Sequence, residues 1–409
     1  MAAEWRDVAL EDVADELTVG YVGPMASEYV NDGVPFLRSL NVEPLRINKN
    51  DLKFITPEFH RRIQKSRLTP GDVVIVRTGK PGACSVVPDW LAEANCSDLV
   101  IVRCGRQLNN RFLAYYVNTV ASGHVAAHLV GAVQQHFNVS SARTLRLSLP
   151  PLAEQKAIAA VLGTLDDKIE MNRRMNATLE AMARALFHSW FVDFDPVRAK
   201  LDGRAPVGLD PATAALFPES FEETAFGHVP NGWGVKMLGE VIELAYGKPL
   251  KAEDRKHGPV CVYGANGPVG WHDEMLVSGP GIVVGRKGNP GVVTWAHGDF
   301  YPIDTTFYVE PIGTCRSLYF LYYALSLHNL ANLSADSAVP GLNRNHAYMS
   351  KQVIPSQAVL TAFDTQIAPI FAAMHANEQQ SRSLALTRET LLPKLISGEL
   401  TVRVKASSE

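Results

Sequence analysis

Cysteine is scarce in this 409-residue chain, with only Cys84, Cys96, Cys104, Cys261 and Cys315, an odd number and no CxxC pair among them. A disulfide framework or a thiolate zinc site is therefore not expected, and a reducing cytoplasm is the expected setting. No apolar run reaches the roughly 20 residues that span a bilayer, so no membrane association is expected. The opening MAAEWRDVALEDVADEL is acidic and lacks the basic start and apolar core of a signal peptide. Net charge is also small, −3 from 39 Lys and Arg against 42 Asp and Glu. That balance neither requires nor forbids nucleic acid, since binding depends on local patches.

Catalytic signatures are missing as well. GRKGNPG around Gly285 has too few residues between its glycines for a Walker A loop and no Lys-Ser/Thr ending. No GxGxxG heads a Rossmann unit, and no GxSxG elbow or HExxH occurs. The Asn-Pro-Pro-aromatic tetrad expected of an enzyme that flips and methylates an adenine is absent too. The 12 histidines are scattered without ligand spacing, so no metal site is expected. Asp166 and Asp167 read as a solvated helix face, and Asp193 to Asp195 as a turn.

What is present is repetition. The segment Glu154 to about Phe191 carries Ile158, Leu162, Leu165, Ile169, Leu179, Ala183 and Leu186 on one stripe, with Asn172 and Asn176 on the same seam. Alternating steps of four and three are the heptad pattern of a helix packed lengthwise against another. The partner lies 205 positions later, where Phe363, Ile367, Ile370, Met374, Leu384 and Leu391 recur, with Asn377 matching Asn172 and Ser381 matching Asn176. A polar residue on such a seam fixes register at some cost in stability. Gly163 and Pro369 fall near the same turn, so the straight portion is expected to begin near Thr164. That leaves about 27 to 37 residues, roughly 40 to 55 Å.

The repeat extends to what precedes each helix. WRDVALEDV from Trp5 matches WGVKMLGEV from Trp233, GDVVIVRTGKPGACSVV from Gly71 matches GIVVGRKGNPGVV from Gly281, and Tyr115–Tyr116 matches Tyr322–Tyr323. Asn138 and Pro150 match Asn343 and Pro355. Each Gly-x-Pro-Gly, Gly79 to Gly82 and Gly288 to Gly291, reads as a tight turn between two strands. The offset shrinks along the chain, so the first domain carries extra residues before its hairpin. The expected architecture is α+β, two pseudo-symmetric globular domains separated by two long antiparallel coiled-coil helices. The divisions fall at 1–150, 151–193 for the first helix, a Pro-, Gly- and acid-rich linker at 194–230, 231–355, and 356–409 for the second helix and tail.

Candidate binding residues are polar and basic loops. The first domain offers Arg61, Arg62, Lys65, Arg77, Lys80, Gln134, Gln135 and Asn138. The second offers Tyr263, Asn266, Arg286, Lys287, Asn289, Asn343, Arg344 and Asn345. Arg pairs bidentately with guanine and Asn or Gln with adenine, while Lys suits phosphate. Structural readings stand beside these: the Arg61–Arg67 run fits a solvated helix face, the Gly-x-Pro-Gly turns fit hairpin geometry alone, and Trp5 and Trp233 fit core anchors.

LPPLAEQKAIAAVLGTLDDKIEMNRRMNATLEAMARALFHSWFVDFDPVRAK closely resembles the central conserved region of type I restriction–modification specificity subunits. GLDPATAALFPESFEETAFGHVPNGW, VYGANGPVGWHDE, GIVVGRKGNPG and LLPKLISGEL are similar to that family's linker and second half. One departure is VQQHFN after Ala132, where the second domain has VPGLNR. The resemblance implies two target-recognition domains, each binding half of a bipartite site in double-stranded DNA, spaced by the two helices. It also implies two modification subunits carrying S-adenosylmethionine and adenine methylation, and restriction subunits using ATP and Mg, with no cofactor on this non-catalytic chain. A scaffold without DNA specificity of its own is the alternative.

Overall fold

The computed structural model describes residues 5–120, 137–335 and 341–402. The chain divides into two compact units, residues 1–171 with 380–409, and residues 172–379. Both divisions fall inside the long helices, Leu152–Phe191 and Gln357–Ile396, each of 40 residues. At 1.5 Å per residue each is about 60 Å long.

In the first unit the four-stranded antiparallel sheet has the order Cys84–Val86, Val73–Val76, Leu99–Cys104, Ala14–Val19. Val73 to Val76 are wholly buried, as a β-branched run covered on both faces should be. A five-stranded sheet holds the residues by which this domain exceeds its copy, and includes one parallel pair, Ala94–Cys96 with Val34–Leu37. Arg6–Ala9 pairs antiparallel with Arg146–Leu149, tying the start of the domain to its end.

The second unit repeats that plan. Its four-stranded antiparallel sheet runs Val293–Ala296, Gly281–Gly285, Thr306–Pro311, Ile242–Tyr246. Its parallel pair is Val260–Gly264 with Phe300–Pro302, and its closing pair is Gly234–Met237 with Lys351–Ile354. Each unit also has a ten-residue helix opened by a side-chain cap, Asn110–Thr119 by Asn109 and Leu318–Leu327 by Ser317. The duplication read from the sequence is thus a duplication of strand order.

The seam is absorbed into the cores. Ile158, Leu162, Leu392, Leu395 and Ile396 pack with Phe112, Leu113 and Tyr116 in the first unit. Ala183, Phe187, Trp190, Phe363, Ile367 and Met374 pack with Trp233, Phe320 and Tyr323 in the second. Ile169 is buried, whereas Leu165, Leu179, Ile370 and Leu384 are only half-buried. Trp233 is a core anchor as expected, and Trp5 lies at the margin of the first core.

Two readings are corrected, the start of the straight helices and the setting of Asp166. The first helix begins before Thr164 and passes through Gly163 unbroken; a Cβ there would lie 2.5 Å from Arg111 Nη1, so glycine makes room for a cation that pairs with Asp167 one turn on. Pro369 likewise lies inside the second helix, on its exposed side, where only the bond to one carbonyl is lost. In the second unit Asn172 Nδ2 donates to Asn377 O at 3.3 Å, Asn377 Nδ2 to Asn176 Oδ1 at 2.8 Å, and Asn176 Nδ2 to Met374 O at 3.0 Å. Later residues of one helix meet earlier residues of the other, so the helices run antiparallel there. Residues 194–230 form two short helices and a hairpin, and bury Val197, Phe217 and Val229 in the second core. Finally, Asp166 is not a solvated carboxylate: it accepts from Tyr115 Oη at 2.5 Å and from Arg388 Nη1 at 2.6 Å.

Asp166 joins three elements of the first unit, whereas Asp167 makes an exposed pair with Arg111. Asp166→Ala strands a half-buried guanidinium and a tyrosine hydroxyl, and should cost about 1–3 kcal/mol. Asp167→Ala should cost under about 1 kcal/mol. Urea unfolding of the two variants checks this, and equal losses would contradict it.

Candidate nucleic-acid interface

The hairpin turns are built alike in both units. Gly79 and Gly82 have φ of +90° and +90°, and Gly288 and Gly291 have +85° and +83°. These values suit glycine, which explains the spacing without reference to any ligand. Gly82 N donates to Val76 O at 2.9 Å, and Gly291 N to Gly285 O at 2.8 Å, closing equivalent loops. A later segment pairs with each turn: Phe137 N donates to Arg77 O at 3.0 Å, and Leu342 N to Arg286 O at 2.9 Å.

These pairings gather most of the second unit's candidates. Arg286 Nη1 donates to Asp304 O at 2.8 Å, and its guanidinium lies 4.9 Å from the Tyr246 ring centroid and 5.9 Å from that of Phe307. The Arg344 guanidinium lies 5.0 Å from the same Tyr246 ring, with Nη1 donating to Leu244 O at 3.4 Å. Lys287 and Asn345 are exposed, and Lys287 bridges to Gly341 through the backbone. Asn289 Nδ2 donates to Asn266 Oδ1 across two adjacent turns, both side chains exposed. Tyr246 was not among the candidates; nothing in spacing marks an aromatic that acquires its role from two arginines 40 and 98 positions away.

Three candidates are occupied by the fold. Tyr263 is 6% exposed, its ring packed edge-on to Phe300, so the expectation of an outward tyrosine is corrected. Burial raises its hydroxyl far above the ordinary tyrosine range. Asn343 caps the helix Arg344–Tyr348 by accepting from the amides of Asn345 and His346. Asn138 caps Val139–Arg143 in the same way, accepting from Ser141 N at 2.8 Å. Short polar side chains before a helix are preferred for this reason, and the matched asparagines of the repeat are matched caps.

The first unit is built differently around its turn. Arg77, equivalent to Arg286, forms an ion pair with Asp98, which also accepts from Thr78 Oγ1 at 3.3 Å. Lys80 is exposed at the turn. Arg61, Arg62 and Lys65 lie on a separate element, at the end of the helix Pro57–Arg62 and in the turn after it. All three are exposed, with Arg61 paired to Glu58 at 3.1 Å and Arg62 5.0 Å from the Phe59 ring centroid. Gln134 and Gln135 lie outside the described residues.

His297 stacks on His375 with centroids 4.9 Å apart, and burial holds its pKa down at about 4. Among the described residues no group of three or more His, Cys, Asp and Glu could hold a metal ion, and no helix is long and apolar enough to cross a membrane.

The fold and its turns define a class, a duplicated chain in which two units of like strand order each present a hairpin turn with an exposed lysine, and each includes part of both long helices. Comparison with known proteins points to the same class. Residues 3–181 match the family model described as the Type I restriction modification DNA specificity domain. The HindI specificity subunit of a type I restriction enzyme from Haemophilus influenzae is 28% identical over 329 residues, 64% of this chain and 70% of that one. The MjaIX specificity subunit from Methanocaldococcus jannaschii is 23% identical over 313 residues, 71% of this chain and 67% of that one. In fold, the chain is similar to the type I restriction-modification S subunit from M. genitalium, with a TM-score of 0.58, 17% identity, and 98% and 97% of the two chains covered. Residues 3–181 therefore match that family's specificity domain, and the chain is similar along its length to type I restriction–modification specificity subunits.

The two glycines of one turn should respond unequally. A Cβ on Gly291 would lie 2.3 Å from Ala331 N, whereas one on Gly288 meets nothing within 4 Å. Gly288→Ala should cost about 1–2 kcal/mol for the left-handed backbone alone, and Gly291→Ala distinctly more. Thermal melting of the variants checks the order, and the reverse order would contradict it.

Proposed function

We propose that this chain supplies DNA sequence specificity to a type I restriction–modification complex, each unit reading one half of a bipartite site. The observation that carries this reading is the matched pair of hairpin turns on sheets of identical strand order, each presenting basic or amide groups beside a returning segment. Loops held on rigid sheets suit base-edge contact, and the lysines beside them suit phosphate. The named relatives are specificity subunits, which supports the same assignment.

The reaction chemistry then belongs to other chains. Two modification subunits would bind S-adenosylmethionine and methylate adenine, and restriction subunits would use ATP and Mg to translocate and cut. This chain would be the non-catalytic member that directs them, acting on DNA in the cytoplasm. The two long helices would set the distance between half-sites, since each is unbroken over 40 residues, about 60 Å against roughly 34 Å for a DNA turn.

Insertion of seven residues after Met175 and seven after Met374 keeps the heptad seam while adding about 10 Å, close to three base pairs. Methylome sequencing of cells carrying the lengthened protein with its modification subunits should show the same half-sites with a longer spacer. The parental spacing in a folded, active variant would rule out the ruler. An absence of any sequence-selective methylation that depends on the unaltered chain would rule out the specificity role itself.

A further inference from the structure

The Arg286–Tyr246–Arg344 group is unusual within this molecule. Two guanidiniums lie 4.9 and 5.0 Å from the centroid of one ring. Like charges brought together this way repel, and the ring's negative face offsets only part of that repulsion. Among the described residues neither guanidinium has a carboxylate within ion-pair distance, whereas Arg38, Arg77, Arg103, Arg111, Arg146 and Arg388 all do. The contrast is clearest with Arg77, which occupies the equivalent place in the first unit and is neutralised by Asp98.

Both cations are also held in place before any ligand arrives. Arg286 is tied to Asp304 O and Arg344 to Leu244 O, while Tyr246 is 50% exposed and rests against Phe307 with centroids 5.0 Å apart. The segment carrying Arg344 is joined to the turn by the bond from Leu342 N to Arg286 O. Anchored, partly desolvated and unneutralised guanidiniums form a site that lacks only its anion.

We propose that Arg286 and Arg344, seated on Tyr246, clamp one backbone phosphate of the DNA, and that the amides of Asn266 and Asn289 beside them read the base edge. This rests on the specificity role proposed above and divides the work within the second unit's site. Two positive charges at one place exceed what the two acceptors of a single guanine can use, and they match an anion with several acceptor oxygens. Each guanidinium has already committed Nη1 to a main-chain carbonyl, which leaves part of its fork for an external acceptor. The amide pair, by contrast, is neutral and exposed, and Asn carries the donor and acceptor that adenine requires. It is held close to the clamp because Gly285, which precedes Arg286, is crowded by both turns: a Cβ there would lie 2.2 Å from Asn289 O and 3.0 Å from Ala265 O.

The test uses the assembled complex of this chain with its modification subunits, and DNA duplexes with and without the recognised site. Arg286→Ala and Arg344→Ala should each weaken binding to both duplexes by the same factor, roughly tenfold. The salt slope should flatten in each variant, and by about 0.9, the value for one phosphate, when both arginines are replaced. The methylated motif should be unchanged. Asn289→Ala should leave the slope alone and relax the motif at one position or more. Inorganic phosphate should displace DNA no better than chloride at equal ionic strength, and stronger displacement would assign the clamp to free phosphate and overturn the proposal. A relaxed motif with an unchanged slope in either arginine variant would make the arginines base readers and overturn it as well. Since the side chain of Arg344 rests on Leu244 O and the Tyr246 ring, away from the glycine turn, Arg344→Ala reports on the clamp even if Arg286→Ala impairs folding. Loss of selective binding by the unaltered complex would instead refute the specificity role.

Discussion

Everything in this molecule hangs on a helix–helix seam that is apolar toward its ends and polar at its centre. Asn172, buried to 1% exposure, donates to Asn377 O, and Asn377 and Asn176 exchange a further bond. Buried amides in an otherwise apolar stripe tie the register to the positions where their hydrogen bonds are made, here Asn172 to Asn377 O and Asn176 to Met374 O. The stripe on either side of them supplies a large share of each globular core, so a slip would also unseat Ile158 and Leu162 from one core and Phe187 and Phe363 from the other. The polar centre therefore selects the register, and the apolar flanks provide most of the burial that stabilises it.

Duplication preserved the scaffold and altered the charge on it. Strand order, closing pair, glycine dihedrals and helix caps are the same in both units, since each is demanded by backbone geometry. The side chains beside the turns are under no such demand. Arg77 meets Asp98, whereas Arg286 meets the face of Tyr246 and shares it with Arg344. A pair of units that must read different half-sites requires this combination, a conserved frame with loops whose electrostatics differ. The second sheet of the first unit, five-stranded against three in the other, and the exposed Arg61, Arg62 and Lys65 in the helical turns beside it in sequence extend the same asymmetry.

The candidate site was legible to the extent that exposure follows from turn chemistry. Gly-x-Pro-Gly marks a hairpin tip, and residues at a tip face solvent, which placed Lys80, Lys287 and Asn289 correctly. Tyr263 was misplaced because a strand alternates, and a polar-capable aromatic beside a turn can face either way. Asn138 and Asn343 were repeated for a reason that the pattern could not distinguish from recognition, namely the unpaired amides at a helix start. Tyr246 was invisible because its role depends on two arginines delivered by distant segments.

Local and periodic facts were therefore settled by the sequence: the two long helices, their shared seam, the repeat that relates the domains, the hairpins and the core tryptophan of the second unit. Each rests on spacing along the chain, which a helix or a strand converts directly into a face. Tertiary structure alone decided where Gly163 and Pro369 could be tolerated, which seam asparagines meet, why Asp166 is held by Arg388 and Tyr115, and which arginines lack a counter-ion. Those outcomes depend on which residues from far along the chain arrive within about 3–5 Å of one another, a distance at which hydrogen bonds and unscreened charge act and about which sequence periodicity carries no information.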